Sequence, residues 1–252
     1  MSDVIAPAAP AVAPEPKPNS FARMVGVIVN PDATFASIAR RPDWVVPLVL
    51  WLLLSMISGI VIAQKVDFGS AAREAMEQKN SGNMSPEQID RAVRMGATIG
   101  KVFAYTAPLW GALIFVIIAA VLLLAFRLFG GEGTFGQAFS ATLYAWVPNI
   151  ISGCIALIIL LVKGAVTAND MRSLVRSNLG FLVDLKTNPM AFALLSSLDI
   201  FTIWALVLFI IGFAYVGRVS KGKSAAIVIS LWVVTVLFKL VPAAMAAAQL
   251  RK

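Results

Sequence analysis

The sequence predicts an all-α integral membrane protein, a five-span transmembrane helical bundle with interfacial amphipathic helices, and three observations carry that prediction. Of 252 residues 59% are hydrophobic and 13% charged, with mean hydropathy +0.84, which is more apolar surface than one water-soluble core can cover. Charged residues leave five long apolar gaps, and a helix crossing about 30 Å of hydrocarbon needs about 20 such residues. Trp44 to Gln64, Val102 to Phe126 and Gly133 to Val162 carry no charge, while Thr187 to Gly217 and Ser224 to Leu250 are interrupted once each, by Asp199 and Lys239. The Lys and Arg residues, finally, are scattered over the connections between these gaps. The spans fall at about 44–64, 102–128, 140–162, 190–216 and 224–248, within a membrane domain at 20–252 that follows a disordered Ala/Pro-rich tail at 1–19.

The tail alternates Ala, Pro and Val and has no basic stretch before an apolar one, so it reads as neither a folded segment nor a cleavable signal peptide. From Ser20 the periodicity becomes helical: Phe21, Met24, Val25 and Ile28 form one apolar stripe. Asn30-Pro31-Asp32 restarts a helix with Asn30 as cap and Pro31 in its first turn, placing Phe35 and Ile38 on the oily side. Two short helices lying in the membrane interface are expected, anchored by Arg40, Arg41 and Trp44.

The connection from Lys65 to Lys101 holds six basic and five acidic residues and predicts a projecting helical hairpin. Its second arm begins at the capping box Ser85-Pro86-Glu87-Gln88 and runs into the second span without a break. Pro108 and Pro148 free the carbonyls of Ala104 and Tyr144 and predict kinks in the second and third spans. A glycine-rich turn, Gly130 to Gly133, joins those spans. Between the third and fourth, Met171, Leu174, Val175, Leu179 and Leu182 predict a further surface-lying helix. The short Gly217 to Lys223 connection makes the last two spans antiparallel neighbours.

Several chemistries are excluded or unsupported. Zero histidines remove imidazole acid–base chemistry and histidine metal sites, and one cysteine, Cys154, removes disulfide and thiolate-cluster chemistry. No catalytic, cofactor or metal site is expected. The net charge of +8 is spread rather than clustered on a soluble face, so anionic lipid rather than nucleic acid is the expected partner. The stretch Gly217 to Ser224 matches a phosphate-binding loop pattern, but an apolar helix precedes it where that motif requires a strand. It reads as a basic turn, with Arg218, Lys221 and Lys223 joining Arg40 and Arg41 as lipid-headgroup contacts.

Asp199 and Lys239 are the ionisable residues inside spans. They lie 17 residues before Val216 and 15 after Ser224, about 25 Å and 23 Å from the shared turn, and so predict an ion pair at matched depth. The alternative is a small permease or ion-coupled transporter using Asp199.

With these landmarks placed, the chain resembles the YIP (Ypt/Rab-interacting protein) membrane family in its prokaryotic branch. The resemblance rests on Asn30-Pro31-Asp32-Ala33-Thr34-Phe35, Arg41-Pro42-Asp43-Trp44 with Pro47, Gly133-Thr134-Phe135 with Tyr144 and Pro148, and Leu198 to Trp204 with Gly212 and Ser220 to Lys223. It implies a five-span bundle with a cytosolic N-terminus and no known catalytic activity. Eukaryotic relatives work with Rab-type GTPases. The Asp-Leu-Tyr-Gly-Pro block of those relatives is missing here, which makes a small-GTPase partner doubtful. The expectation is a non-enzymatic scaffold or organiser of the bacterial inner membrane that binds lipid, a partner membrane protein or a second copy. Its N-terminus and the Gly217 to Lys223 turn would face the cytoplasm, and Lys252 the other side.

Overall fold

The computed structural model describes residues 19–79, 85–167, 170–185 and 187–249, so the tail before Asn19 and the terminal Lys252 lie outside the described residues. Two short helices come first, α1 (Ser20–Val29) and α2 (Pro31–Arg40). Asparagine side chains cap both, Asn19 accepting from Phe21 N–H and Asn30 from Ala33 N–H, so each helix start has a partner for a backbone donor that lacks one.

The first span is α3 (Val45–Lys65), followed by the two-residue strand β1 (Val66–Asp67), α4 (Phe68–Lys79) and α5 (Pro86–Leu128). The 43 residues of α5 extend about 64 Å, roughly twice the hydrocarbon thickness. It runs unbroken from the projecting hairpin with α4 through the membrane, and Ser85 and Gln88 form the predicted capping box. The third span is a bent pair, α6 (Phe135–Ala145) and α7 (Val147–Val162), turned by 41° across Trp146. Pro148 sits in the first turn of α7, where a missing N–H costs nothing, so the proline starts a new helix instead of kinking an old one. After β2 (Val166–Thr167) and α8 (Pro189–Leu195) come α9 (Ile200–Gly217) and α10 (Lys221–Gln249). Among the described residues four helices, α3, α5, α9 and α10, are long and apolar enough to cross a membrane, and the bent α6–α7 pair is a fifth when its two helices are counted as one span.

Chain direction alternates, so Trp44, Arg127, Gly133, Gly217 and Lys221 gather at one end, here the collar end, while Lys65, Val162 and Asp199 mark the hairpin end. Hairpin-end closure is polar: Lys65 Nζ donates to the carbonyls of Leu160, Leu161 and Lys163 at 3.0, 2.7 and 2.9 Å, occupying the open C-terminus of α7. Parallel pairing of β1 with β2 holds the same junction.

Helices α3 and α5 meet through glycine. A Cβ on Gly59 would lie 2.1 Å from Ala104 O, the carbonyl that Pro108 leaves without its helical donor. One on Gly111 would lie 1.6 Å from Trp51 Cη2, so the indole fills the space that glycine leaves. The main core is at the collar end, where Val27, Phe35, Ile38, Phe115, Phe126, Tyr144, Phe209 and Phe213 are buried together. Around it large apolar side chains point outward, among them Leu109, Trp110, Ile117, Val234 and Phe238. Their exposure is what a hydrocarbon surround accommodates.

Two expectations are corrected. The segment 171–182 is not a surface helix: it forms 3-10 turns at Asp170–Ser173 and Leu179–Leu182, with Leu174 buried while Leu179 and Leu182 stay exposed. Its backbone pairs elsewhere, Asn178 bridging Asp199 and Ser177 O accepting from Ile200 N–H. The apolar run from 187 to 217 is also not one helix, since α8 stops at Leu195 and α9 begins at Ile200.

Candidate functional site

The collar end is built by two polar clasps that hold α1 and α2 against the spans. Arg23 is 5% exposed on the inward face of α1 and uses both terminal nitrogens. Its Nη1 donates to Asp43 Oδ1 at 2.5 Å and Arg41 O at 2.9 Å, and its Nη2 to Ser37 Oγ and Ser37 O at 2.9 and 3.2 Å. Asp43 also accepts from Ser20 Oγ, and Tyr144 Oη lies 3.0 Å from both of its carboxylate oxygens. One carboxylate thus ties together α1, the loop into α3, and α6. The pair is partly buried, Arg23 being enclosed while Asp43 keeps 28% exposure, and its hydrogen bonds occupy both terminal nitrogens of the guanidinium and both carboxylate oxygens, leaving only the buried Arg23 Nε without a partner.

The second clasp is Asp32 at the start of α2. Lys221 Nζ lies 2.6 Å from its Oδ1, and Tyr215 Oη donates to the same oxygen at 3.1 Å. The hydrogen bond from Lys221 holds the Asp32 carboxyl below its ordinary pKa, burial opposes this, and Tyr215 reinforces the lowering. Between the clasps Phe35 lies on Gly212 of α9, where a Cβ would come within 2.8 Å of its ring. Gln137 Nε2 donates to Ala39 O at 2.6 Å and fixes the end of α2 to α6.

The glycine-rich turn docks beside them. Glu132 N–H donates to Gly217 O at 3.0 Å, and Arg218, at φ 51 in the left-handed region, caps α9 and pairs with Glu132 at 2.8 Å. Gly133 takes φ +116, and a Cβ there would press to 2.9 Å from Val216 O, so this approach needs glycine. Arg127 Nη2 donates to Gly133 O at 2.9 Å. These elements border a cleft of about 670 Å³ lined by Arg40, Glu132, Gly133, Thr134, Gln137, Tyr215 and Arg218, over a floor of Ala36, Ala39 and Val216.

The five cations expected at lipid headgroups therefore share one end of the molecule. Arg40 and Arg218 line the cleft, Lys221 belongs to the Asp32 clasp, Arg41 lends its carbonyl to Arg23, and Lys223 stands in the first turn of α10. The apolar face of α1 and α2 divides differently from expectation. Phe35 and Ile38 are inside the protein core, because α2 lies on α9 and α6, whereas Phe21, Val25 and Val29 form the outward stripe of α1. Ser224, the last position of the phosphate-loop-like stretch, is buried and donates to Ile210 O at 2.7 Å, a contact between two antiparallel helices.

Asp199 and Lys239 are not brought together. Asp199 is the N-cap of α9, with Oδ1 accepting from Phe201 and Thr202 N–H at 2.9 and 3.0 Å and Oδ2 accepting from Ser177 Oγ. Lys239 is exposed on α10 and joins no ion pair among the described residues. The physical reason is the helix start at Ile200: free N–H groups there satisfy the carboxylate without a cation.

Residues that sequence reasoning passed over include Arg23, Glu132, Gln137 and Tyr215. Arg23 carried a signal, as a basic residue set within the apolar repeat of α1; Tyr215, at the end of a wholly apolar helix, was a second polar tip at headgroup depth.

The comparisons with known proteins agree with this architecture. The Yip1 domain model matches residues 25–241. Membrane protein YknW of Bacillus subtilis (strain 168) is 26% identical over 227 residues, covering 89% of each chain. No solved structure matches. The motif residues Asp32, Asp43, Tyr144 and Lys221 meet in the two clasps of a helical membrane bundle, and with the domain match extending over nearly all of the described chain, this protein belongs to the Yip1-domain family of membrane proteins.

Proposed function

We propose that the protein is a non-enzymatic organiser of the bacterial inner membrane that gathers anionic lipid headgroups, and through them a partner membrane protein or second copy, at its collar end. The observation that carries this reading is the convergence there of Arg40, Arg41, Arg127, Arg218, Lys221 and Lys223 beside the outward stripe Phe21, Val25 and Val29 on α1, 58%, 62% and 73% exposed. Apolar residues at the headgroup boundary flanked by cations suit an interface-lying helix, and each cation near an anionic surface adds about 1 kcal/mol. In this reading the N-terminus and the collar face the cytoplasm.

Polar groups in the spans support an organiser over a solute carrier. Thr106 and Thr235 donate to carbonyls of their own helices, at Val102 and Trp232, Ser197 donates to Ala193 O just past the end of α8, and Asp199 is occupied as a cap, so the hydroxyl protons and the carboxylate are already engaged within the protein.

Spin labels at Phe21, Val25 and Val29 in nanodiscs test the proposal. Membrane depth that increases with anionic lipid content is expected, and water access equal to that of a label at the exposed Glu87, in the first turn of α5 on the projecting hairpin, refutes it. Cysteines beside Lys221 and in the 73–79 arm settle orientation: in intact cells an impermeant reagent should reach only the second.

A further inference from the structure

We infer that the collar cleft is a binding site for the phosphodiester of a membrane phospholipid, gripped between Arg40 and Arg218. This rests on the lipid-organising reading above and gives it a specific seat. The volume of about 670 Å³ falls within the roughly 300–1,000 Å³ typical of small-molecule sites. Arg40 reaches it from the end of α2 and has no ion-pair partner among the described residues. Arg218 reaches it from the end of α9, held in the left-handed conformation that turns the chain toward the glycine-rich loop.

The inventory of the lining identifies the ligand. Thr134 and Gln137 satisfy one another and Ala39 O, and Tyr215 donates to Asp32, so these groups shape the wall without offering charge. The remaining ionic groups are two guanidiniums and the Glu132 carboxylate, which sum to one positive charge. A phosphodiester, with a single negative charge and two equivalent oxygens for planar guanidinium forks, balances that sum. Ala36, Ala39 and Val216 give the cleft an apolar floor at the end of the molecule where the apolar helices finish. A glycerol backbone and the first carbons of acyl chains suit such a floor. The pairing of Glu132 with Arg218 further sets a competition: the phosphodiester must share Arg218 with that carboxylate, so neutralising Glu132 should tighten binding.

Native mass spectrometry of the full chain, released from detergent micelles doped with phosphatidylglycerol, reads the occupancy directly. Arg40→Ala and Arg218→Ala should each lower the retained lipid by about tenfold, the loss expected for one charge-assisted contact. Arg91→Ala with Arg94→Ala, on the projecting part of α5, should leave it unchanged. Glu132→Gln, which removes no cation, should raise retention several-fold, an outcome that misfolding cannot imitate. Unchanged retention in the Arg40→Ala, Arg218→Ala double variant with its unfolding midpoint preserved overturns the site. If soluble glycerophosphoglycerol binds as tightly as the lipid, the membrane source is overturned. Should retention be indifferent to these variants while labels at Phe21, Val25 and Val29 still report anionic-lipid-dependent depth, the cleft fails and the organising function stands. Labels in free water would overturn the function itself.

Discussion

Gly59→Ala separates helix propensity from helix packing, because the two predict opposite signs. Propensity alone favours alanine in a helix interior by about 1 kcal/mol. Packing opposes it, since the new methyl would lie 2.1 Å from Ala104 O and 3.1 Å from Ala104 C, where carbon–oxygen contacts normally settle near 3.3–3.6 Å. The obstructing atoms are backbone, in the middle of α5, so no rotamer change relieves the overlap; the two helices must part by roughly 1 Å along their contact. Between spans in lipid such close approach is itself the source of association, as lipid tails are as apolar as the side chains they replace. Overpacking of this kind costs about 1–3 kcal/mol, and the rigid obstruction places Gly59 at the upper end, leaving about 2 kcal/mol of net destabilisation after the propensity gain. On the scale for chains of this size that is a fall of roughly 4–8 °C in Tm. Thermal unfolding in detergent followed by circular dichroism checks it, with Gly153→Ala as control, because a Cβ at Gly153 meets only Leu54 Cδ2 at an ordinary 3.6 Å. A Gly59→Ala protein as stable as the Gly153→Ala control refutes the argument.

The Arg23 clasp should respond as a buried ion pair. Arg23→Met leaves Asp43 without its cation; because that carboxylate keeps 28% exposure and its bonds from Ser20 and Tyr144, the cost should fall below the roughly 3–5 kcal/mol of a fully buried pair, at about 2–3 kcal/mol, whereas Tyr144→Phe removes one of several hydrogen bonds and should cost about 1 kcal/mol, both read from the same melts. For Asp32 the folded pKa is depressed, so the stability it contributes is complete above the unfolded value of about 3.9 and is lost as pH falls through the folded value below it. The difference in Tm between the native protein and Asp32→Asn should therefore be constant from pH 5 to 8 and close under acid, provided titration is followed at fixed ionic strength. At Asp199, substitution by Ala should cost about 0.5–2 kcal/mol as a lost helix cap. Lys239→Met should leave the melt unchanged, and Asp199→Lys with Lys239→Asp should give no rescue; recovery in that exchange would restore the ion pair as an explanation.

The spans were legible because hydrocarbon imposes a simple condition, an uncharged stretch of sufficient length, which the gaps from Trp44, Val102 and Gly133 meet directly. Gap length does not show where a helix starts. Asp199 broke the fourth gap and looked like a buried charge, yet it follows Ser196-Ser197 and precedes Ile200, an arrangement that equally marks a fresh N-terminus. Periodicity likewise found α1 and α2 but could not say what covers each apolar face. Protein covers Phe35 and Ile38, while Val25 is left outward, and the choice depends on Gly212, nearly two hundred residues away. The clasps were hidden for the same reason: Asp43 meets Tyr144 and Asp32 meets Lys221 only once the spans have alternated direction.

The unbroken length of α5 gives the molecule a mechanical property. Pro108, the one proline inside the helix, divides it into arms of about 33 Å toward the hairpin and about 30 Å toward the collar. The contact of Gly59 with Ala104 O lies one turn from that proline, so α3 grips the rod near its fulcrum, where a tilt displaces it least. Turning α5 by about 5° on this pivot carries each tip roughly 3 Å, in opposite directions. A tilt of that size at the hairpin on one side of the membrane would move the Gly130–Gly133 turn on the other by a comparable distance, working against the packing of Phe115, Ala119, Leu122 and Phe126 that anchors the collar arm in the core.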